Sequence, residues 1–381
     1  MPESSKAETA IYIHIPFCDH KCVYCDFYSI IKDDKAQNYF DALRVEIEHY
    51  AKTYSGNRDI HTIFFGGGTP SLVDEKQIKF VLDVLSANFN LLPSAEITLE
   101  ANPGTLTPRK LQAYLSYGIN RLSLGVQSFD ENDLKFMTRI HTADIARSTI
   151  RLAKDEGFSN INLDLIFNLP GQNKTKWLYN LESAAELPVT HISAYSLMLE
   201  KGTILNKMVL DGKVAISDAD YDADLYELTI EFLNSRGFHQ YEVSNFAKEG
   251  FDCRHNKFYW DYKDYIGFGT SAHSFVNGTR WWNYNSLTFY LNSVFEKQHA
   301  RTGEETMSPE EMINEYTMLA LRSSGLKIKE FTDRFGIEWL ERNEKLIREL
   351  LENEFMVRSK STLKMAPKGY AVCDEILSRF N

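Results

Sequence analysis

Tyr12-Ile13-His14-Ile15-Pro16-Phe17-Cys18-Asp19-His20-Lys21-Cys22-Val23-Tyr24-Cys25-Asp26-Phe27 joins an apolar, β-rich run to a loop carrying three of the chain's five cysteines. The run at residues 11–15 is the first of six such runs. The others fall at residues 62–65, 96–99, 121–126, 160–167 and 191–197. Each is nearly continuous in apolar residues, as expected of a strand covered on both faces. Between them lie amphipathic stretches at residues 38–50, 75–88, 108–117, 142–156 and 174–186, with apolar residues at helical spacing. Strands separated by helix-length connections predict a parallel sheet, because each crossover must return the chain before the next strand. The expected fold class is α/β, a curled and incomplete (βα)6 barrel. A flat doubly wound sheet is the structural alternative.

After about residue 205 the pattern changes. A long helix is expected at residues 218–235, with Gly237 as its stop signal. Residues 238–285 are rich in aromatics, Gly and Asn and show no clear period. Helical spacing returns at residues 309–322, 328–335 and 337–352. The strings Phe355-Met356-Val357-Arg358 and Leu363-Lys364-Met365-Ala366 then read as a small hairpin. Helices followed by a hairpin predict a C-terminal α+β, winged-helix-like module. The chain thus divides into a disordered N-terminus (1–10), a barrel (11–237), an aromatic-rich bridging segment (238–300) and the C-terminal module (301–381).

Composition narrows the function. The 381 residues are 43% apolar and 25% charged, enough for a sizeable core. The net charge of −11, without a basic run of useful length, argues against a nucleic-acid partner. No apolar run approaches the ~18 residues of a spanning helix. The start Met1-Pro2-Glu3-Ser4-Ser5-Lys6 lacks the apolar region of a signal peptide, so a cytoplasmic location is expected.

Five cysteines are too few for a disulfide scaffold in a chain of this length. Cys18, Cys22 and Cys25 form C-x3-C-x2-C in a loop after a strand, a spacing that buried structural cysteines do not adopt. A tetrahedral zinc site would want a fourth ligand, from His20 or a distant residue. A redox C-x-x-C at Cys22 and Cys25 would open a helix and leave Cys18 unexplained. Three thiolates on three irons of a [4Fe–4S] cubane would leave the fourth iron open, since electron-transfer clusters take four cysteines. Cys253 and Cys373 lie far off in sequence.

In βα barrels ligands bind at the C-terminal ends of the strands. There the second strand ends in Gly66-Gly67-Gly68-Thr69-Pro70, whose backbone can approach a ligand closely. The third ends in Glu100-Ala101-Asn102-Pro103, the fourth runs into Gln127, and the fifth carries Asp164. Burying any one of these unpaired would cost several kcal/mol, and four in register with the cysteine loop make a ligand pocket. Arg139 is a candidate carboxylate clamp, because its planar fork matches a carboxylate.

The cysteine segment resembles the signature of the radical S-adenosylmethionine (SAM) superfamily. The resemblance implies a reduced [4Fe–4S] cluster that binds SAM at its open iron and cleaves it to a deoxyadenosyl radical. Together with Gly125-Val126-Gln127-Ser128-Phe129 and Asp164-Leu165-Ile166, the strings above resemble the oxygen-independent coproporphyrinogen III oxidase group, over nearly the whole chain. This implies that Cys18, Cys22 and Cys25 hold the cluster. It also implies that Tyr12, Tyr24, Gly67, Gly68, Thr69, Glu100, Gln127, Arg139 and Asp164 contact the cluster or SAM.

Two branches of the group differ. The oxidases carry a further cysteine two residues after the triplet and a long N-terminal extension. Here Phe27 occupies that position and eleven residues precede Tyr12. Both features agree with the HemW-type haem chaperones, and the string His255-Asn256-Lys257-Phe258-Tyr259-Trp260 looks like their H-N-x-x-Y-W signature. A neutral His255 imidazole is a candidate haem ligand and Cys253 a second one. Tyr259, Trp260, Trp281 and Trp282 could offer flat surface to a macrocycle, and His273 could equally be structural. The expected function is therefore haem chaperoning. The alternative is coproporphyrinogen III dehydrogenation to protoporphyrinogen IX; an RNA-modifying radical SAM enzyme fits neither the charge nor the later strings. The partners implied are haem or porphyrin, haem-acceptor proteins (membrane-associated ones among them), and an electron donor such as a flavodoxin or ferredoxin.

Overall fold

The computed structural model describes residues 6–31 and 36–380. Six strands run parallel and pair in chain order: β1 (Ala7–Ile15), β2 (Arg58–Gly67), β3 (Asn90–Ala101), β4 (Arg121–Gln127), β5 (Asn160–Phe167) and β6 (His191–Ser196). That order decides between the two architectures. A doubly wound sheet reverses its strand order at a switch point, and this one does not. With every crossover of the same hand, the helices gather on one face and the other face becomes the interior of a partial barrel.

The helices form where the sequence supplies both an apolar stripe and a cap. They are α1 (Ala36–Tyr54), α2 (Glu75–Asn88), α3 (Pro108–Ser116), α4 (Ala143–Asp155), α5 (Lys174–Ala185) and α6 (Ala219–Ser235). The side chains of Asp74, Thr107, Thr142, Asn173 and Asp218 accept backbone N–H bonds at the starts of α2 to α6. Each cap contributes about 1 kcal/mol. Gly237, at φ +80°, takes the left-handed conformation that ends α6.

Two expectations are corrected. Residues 7–10 are not disordered: they open β1, where Thr9 and Ala10 are fully buried. The buried Arg58 guanidinium holds them, donating to Thr9 Oγ1 at 2.9 Å and Asp264 Oδ2 at 2.6 Å. Residues 1–5 of that expectation lie outside the described residues. Nor is residues 238–300 a bridge beside the barrel. Short strands β7 (His239–Gln240) and β8 (Asn245–Ala247) extend the sheet beyond β6. At the other edge β9 (Asp264–Phe268) pairs parallel with β1. It is followed by antiparallel β10 (His273–Val276), β11 (Thr279–Asn283) and β12 (Arg301–Thr306), giving one sheet of twelve strands. These strands are two to six residues long, and ones such as His239–Gln240 and Arg301–Thr306 contain no apolar residue, so no apolar run marks them in sequence.

Helix α7 (Arg254–Trp260) lies against β1, β2 and β9, with its first N–H groups donating to Glu96 of β3, and α8 (Leu287–Lys297) packs on α1. Glu46 of α1, fully buried, accepts from Gly269 N (2.9 Å), Asn283 Nδ2 (2.7 Å) and Tyr290 Oη (2.8 Å). It thereby ties α1 to the antiparallel extension and to α8. Burial pushes its carboxyl up to about 7 despite those donors.

The C-terminal module holds α9 (Pro309–Leu321), β13 (Leu326–Lys327), α10 (Ile328–Phe335), α11 (Glu338–Arg342), α12 (Glu344–Glu352), β14 (Met356–Arg358) and β15 (Thr362–Met365). Its three strands form a separate antiparallel sheet. A full capping box between Ser308 and Glu311 starts α9. The helix read at residues 337–352 is two helices, broken at Asn343, whose side chain donates to Trp339 O.

Candidate functional site

The cysteine loop follows directly from β1. Gly68 N donates to Ile15 O and Thr69 N to Phe17 O, so the loop after β2 is stitched beneath the cysteine loop. Cys18 Sγ lies 3.6 Å from Thr69 Oγ1, and Arg139 Nη1 donates to Cys22 Sγ at 3.5 Å. Cys25 N closes a turn onto Cys22 O, and no helix opens there, unlike a redox C-x-x-C. Among the described residues no three His, Cys, Asp or Glu side chains converge on a single ion. A mononuclear zinc site needs such convergence, whereas a cubane takes each thiolate on a different iron. Burial raises the Cys18 thiol and pushes Cys25 up to about 11. The positive charge of a metal centre reverses that preference.

One cavity of about 160 Å³ collects Cys18, Cys22, Cys25, Tyr24, Gly67, Gly68, Thr69, Glu100, Gln127, Arg139 and Asp164. Tyr12 lines an adjoining, larger cavity of about 530 Å³ inside the barrel, and the two share Tyr24, Phe27, Gly67, Glu100, Ser123, Gln127 and Asp164. The structure therefore brings every residue expected to contact the cluster or SAM to one connected space.

The glycines there are required by space. A Cβ on Gly67, which has φ +110°, would lie 2.6 Å from the His14 ring, and one on Gly68 would lie 2.8 Å from Phe17 O. Gly67 N donates to Glu100 Oε2 at 3.2 Å. Arg139 Nη2 donates to Asn102 Oδ1 and Gly125 O, each at 2.6 Å, and its buried Nε has no partner among the described residues. Three thiols, a glycine backbone cradle and an arginine with an unused donor fit an iron–sulfur cluster carrying an amino-acid ligand.

Burial pushes Glu100 up to about 8, with repulsion from Asp164 adding and the Gly67 N–H opposing. Asp164 is likewise raised by burial, although Asn162 Nδ2 donates to it at 2.8 Å. These carboxyls sit close together in a pocket of low polarity and are held toward their neutral forms.

The haem-ligand expectations fare differently. His255 lines the larger cavity, but both ring nitrogens are engaged, Nδ1 with Thr62 Oγ1 and Nε2 with Tyr259 Oη, each at 2.8 Å. Burial pushes the imidazole down to about 3, so it is neutral. Cys253 is corrected: it is fully buried and lines neither cavity, and its Sγ donates to Glu96 Oε1 at 3.7 Å. Burial pushes its thiol up to about 12. Trp281 is buried in β11, stacked on Tyr50 and Tyr54, and Trp282 faces His273. Trp260 borders a groove next to the C-terminal module. Of the four aromatics expected to face a macrocycle, Tyr259 lines the larger cavity and the three tryptophans do not.

Sequence reasoning missed Asn102, which bridges Thr69 Oγ1 (3.1 Å) and Arg139, and His14, which holds Tyr12 Oη at 3.1 Å. Both stood inside quoted motifs without an assigned task. It also missed Arg121, Ser123, Asn162 and Ser193, which line the larger cavity. The available signal was polar residues at every second position of otherwise apolar strands.

Comparison with known proteins agrees with this geometry. The family model described as the radical SAM superfamily matches residues 12–182, and the HemN C-terminal domain model matches residues 307–372. The fold and the three-cysteine site define a radical SAM protein. The heme chaperone HemW of Bacillus subtilis is 35% identical over 375 residues, covering 97% of this chain and 98% of the relative. HemW of Escherichia coli is 39% identical over 273 residues, 70% of each chain. The solved structure of coproporphyrinogen III oxidase (HemN) from Escherichia coli has a TM-score of 0.84 at 22% identity, covering 100% of this chain and 91% of that one, a likeness of fold. The chain belongs to the HemW family of radical SAM haem chaperones. That family membership implies a [4Fe–4S] cluster and SAM. Among the described residues no helix is long and apolar enough to cross a membrane.

Proposed function

We propose that the chain holds a [4Fe–4S] cluster on Cys18, Cys22 and Cys25, holds SAM against the glycine cradle, and carries haem in the larger cavity for delivery to acceptor proteins. The observation that supports this reading is the continuity of the two cavities, through which a cargo in the larger one would lie next to the cysteine loop. A cluster with SAM bound supplies one-electron chemistry and an adenosyl group at that junction.

This chain's own residues do the holding. The Gly66–Thr69 backbone and Arg139 offer donors and acceptors to an amino-acid moiety, with Asn102 fixing the guanidinium. Glu100, pushed up to about 8 by burial, can donate a hydrogen bond where a carboxylate would only accept, and burial raises Asp164 in the same direction. Tyr12, Tyr24, Phe64, Tyr195 and Tyr259 supply aromatic surface around the larger cavity, and Phe27 and Met198, both exposed, stand at its mouth. His255 reaches iron only after Nε2 gives up the Tyr259 hydroxyl. An electron donor such as a flavodoxin or ferredoxin and haem-acceptor proteins, including membrane-associated ones, complete the reading as partners, in the cytoplasm.

Haem titration of the anaerobically reconstituted protein tests this. A saturable Soret band is expected, and absence of haem binding removes the cargo reading. Incubation with coproporphyrinogen III, SAM and a reductant should give no multiple-turnover conversion to protoporphyrinogen IX. Sustained conversion would replace the chaperone reading with the dehydrogenase one.

A further inference from the structure

The interior of the barrel holds a charge that neither the cluster nor SAM uses. Arg121 of β4 is 2% exposed, lines the larger cavity, and its Nε has no hydrogen-bond partner among the described residues. Glu96 and Asp164 act on it through space, without a hydrogen bond to the guanidinium. Both carboxylates are engaged elsewhere. Glu96 accepts from Arg254 N and His255 N at the start of α7, and Asp164 accepts from Asn162. A buried guanidinium with unmade hydrogen bonds is costly unless a ligand completes them.

Its neighbours suit an anion. Ser123 lies two residues on along the same face of β4 and also lines the cavity. The Ser123 hydroxyl accepts from Asn162 Nδ2 at 2.7 Å, which leaves its own proton free to donate. Thr98, paired in register with Arg121 across β3 and β4, also has a buried hydroxyl without a partner among the described residues.

We propose that Arg121, with Ser123, receives a carboxylate arm of the ligand in the larger cavity. The inference rests on the reading of that cavity as a porphyrin site. It adds the orientation: the macrocycle enters with a propionate leading, its apolar edge left toward Phe27 and Met198 at the mouth. Arg121 is a recognition residue at the opposite end of β4 from Gln127, about 20 Å along the strand from the cysteine-loop end.

The test uses the reconstituted full chain and two iron-free probes, protoporphyrin IX and its dimethyl ester, followed by fluorescence titration. Without iron, axial ligation does not enter. The native protein should bind the free acid about ten- to a hundredfold more tightly than the ester, the range of a charge-assisted hydrogen-bonded pair. R121Q should lose that preference by weakening the acid while leaving the ester unchanged. R121K, which keeps the charge without the fork, should fall between them. Equal native affinities for acid and ester, or equal losses of both in R121Q, overturn the inference and leave the porphyrin reading standing. Should R121Q fail to fold, R121K decides by itself: an acid preference as large as the native one overturns the proposal. If the native chain binds neither probe, the porphyrin reading falls and the inference with it.

Discussion

The two ends of the barrel interior are built from the same strands and finished in opposite ways. At the cysteine end, Glu100 and Gly66–Thr69 meet thiols and an arginine with donors to spare. At the α7 end, only four residues earlier on β2 and β3, Thr62 and Glu96 are fully occupied by His255, Arg254 and Cys253. The separation is about 13 Å of strand. The cysteine end leaves hydrogen-bonding capacity for ligands; at the α7 end β2 and β3 spend theirs on closing the barrel, while the unpaired groups of Arg121 and Thr98 are left beside that closure. The H-N-x-x-Y-W string therefore has a structural task as a plug, and through His255, Asn256 and Tyr259 it also forms part of the cavity wall.

The largest effects should come from breaking the open end. Substituting Cys18, Cys22 or Cys25 with Ala should reduce bound iron from about four per chain to near none after anaerobic reconstitution, measured by iron and sulfide analysis. Cys253→Ala, at the closed end, should keep full iron loading. Equal loss in all four variants would erase the distinction.

The closed end should respond in stability. Glu96→Ala strands the N–H groups of Arg254 and His255, and His255→Ala strands the hydroxyls of Thr62 and Tyr259. Each should cost about 2–4 kcal/mol, read from denaturant midpoints, because two buried polar groups lose partners. Iron loading of the folded fraction should stay native.

How much of this was legible in sequence follows from the size of the pattern each part makes. The six barrel strands show as apolar runs and their helices as apolar stripes at helical spacing over many residues. The cysteine triplet and the glycine run announce themselves by local spacing. The antiparallel extension was hidden because its strands are short and poor in apolar runs: Arg301–Thr306 has no apolar residue, and His273–Val276 has two. The task of His255 was hidden for a different reason. A neutral imidazole looks the same in sequence whether its nitrogens await iron or already hold Thr62 and Tyr259, and only the tertiary contacts tell the two apart. Arg121 escaped notice because a single arginine opening an apolar strand reads as a surface charge until the barrel closes around it.

Titration offers a subtler probe of the open end, before cluster or ligand is loaded. Glu100 titrates at about 8 in the folded chain against an ordinary value of 4.5. The folded state therefore holds a proton that the unfolded state has released between those values, so stability from this group is present below pH 4.5 and is lost as pH rises toward 8. Glu100→Gln should flatten that part of the profile. Relative to the native protein it should gain about 2 kcal/mol between pH 5 and 8.5, since one pKa unit corresponds to about 1.4 kcal/mol and cavity water screens part of the effect. The comparison cancels Glu46 and Glu242, which burial also raises to about 7 in both proteins. A difference that does not change with pH would mean that Glu100 is ionised in the cavity throughout.

The smallest expected effect separates charge from geometry at the open end. Arg139 uses one guanidinium to meet Gly125 O, Asn102 Oδ1 and Cys22 Sγ together, a reach that depends on a planar fork. Lysine keeps the positive charge but presents a single ammonium, which cannot span the two oxygens and the thiol at once. Arg139→Lys should therefore keep the iron content native while weakening SAM binding by about tenfold, measured by equilibrium dialysis of the reconstituted protein. Asn102→Ala should weaken SAM less, because it removes one support of the guanidinium and leaves Gly125 O in place. If lysine binds SAM as tightly as arginine, the site reads charge alone, and the fixed fork at Gly125 is a packing feature of the strand end.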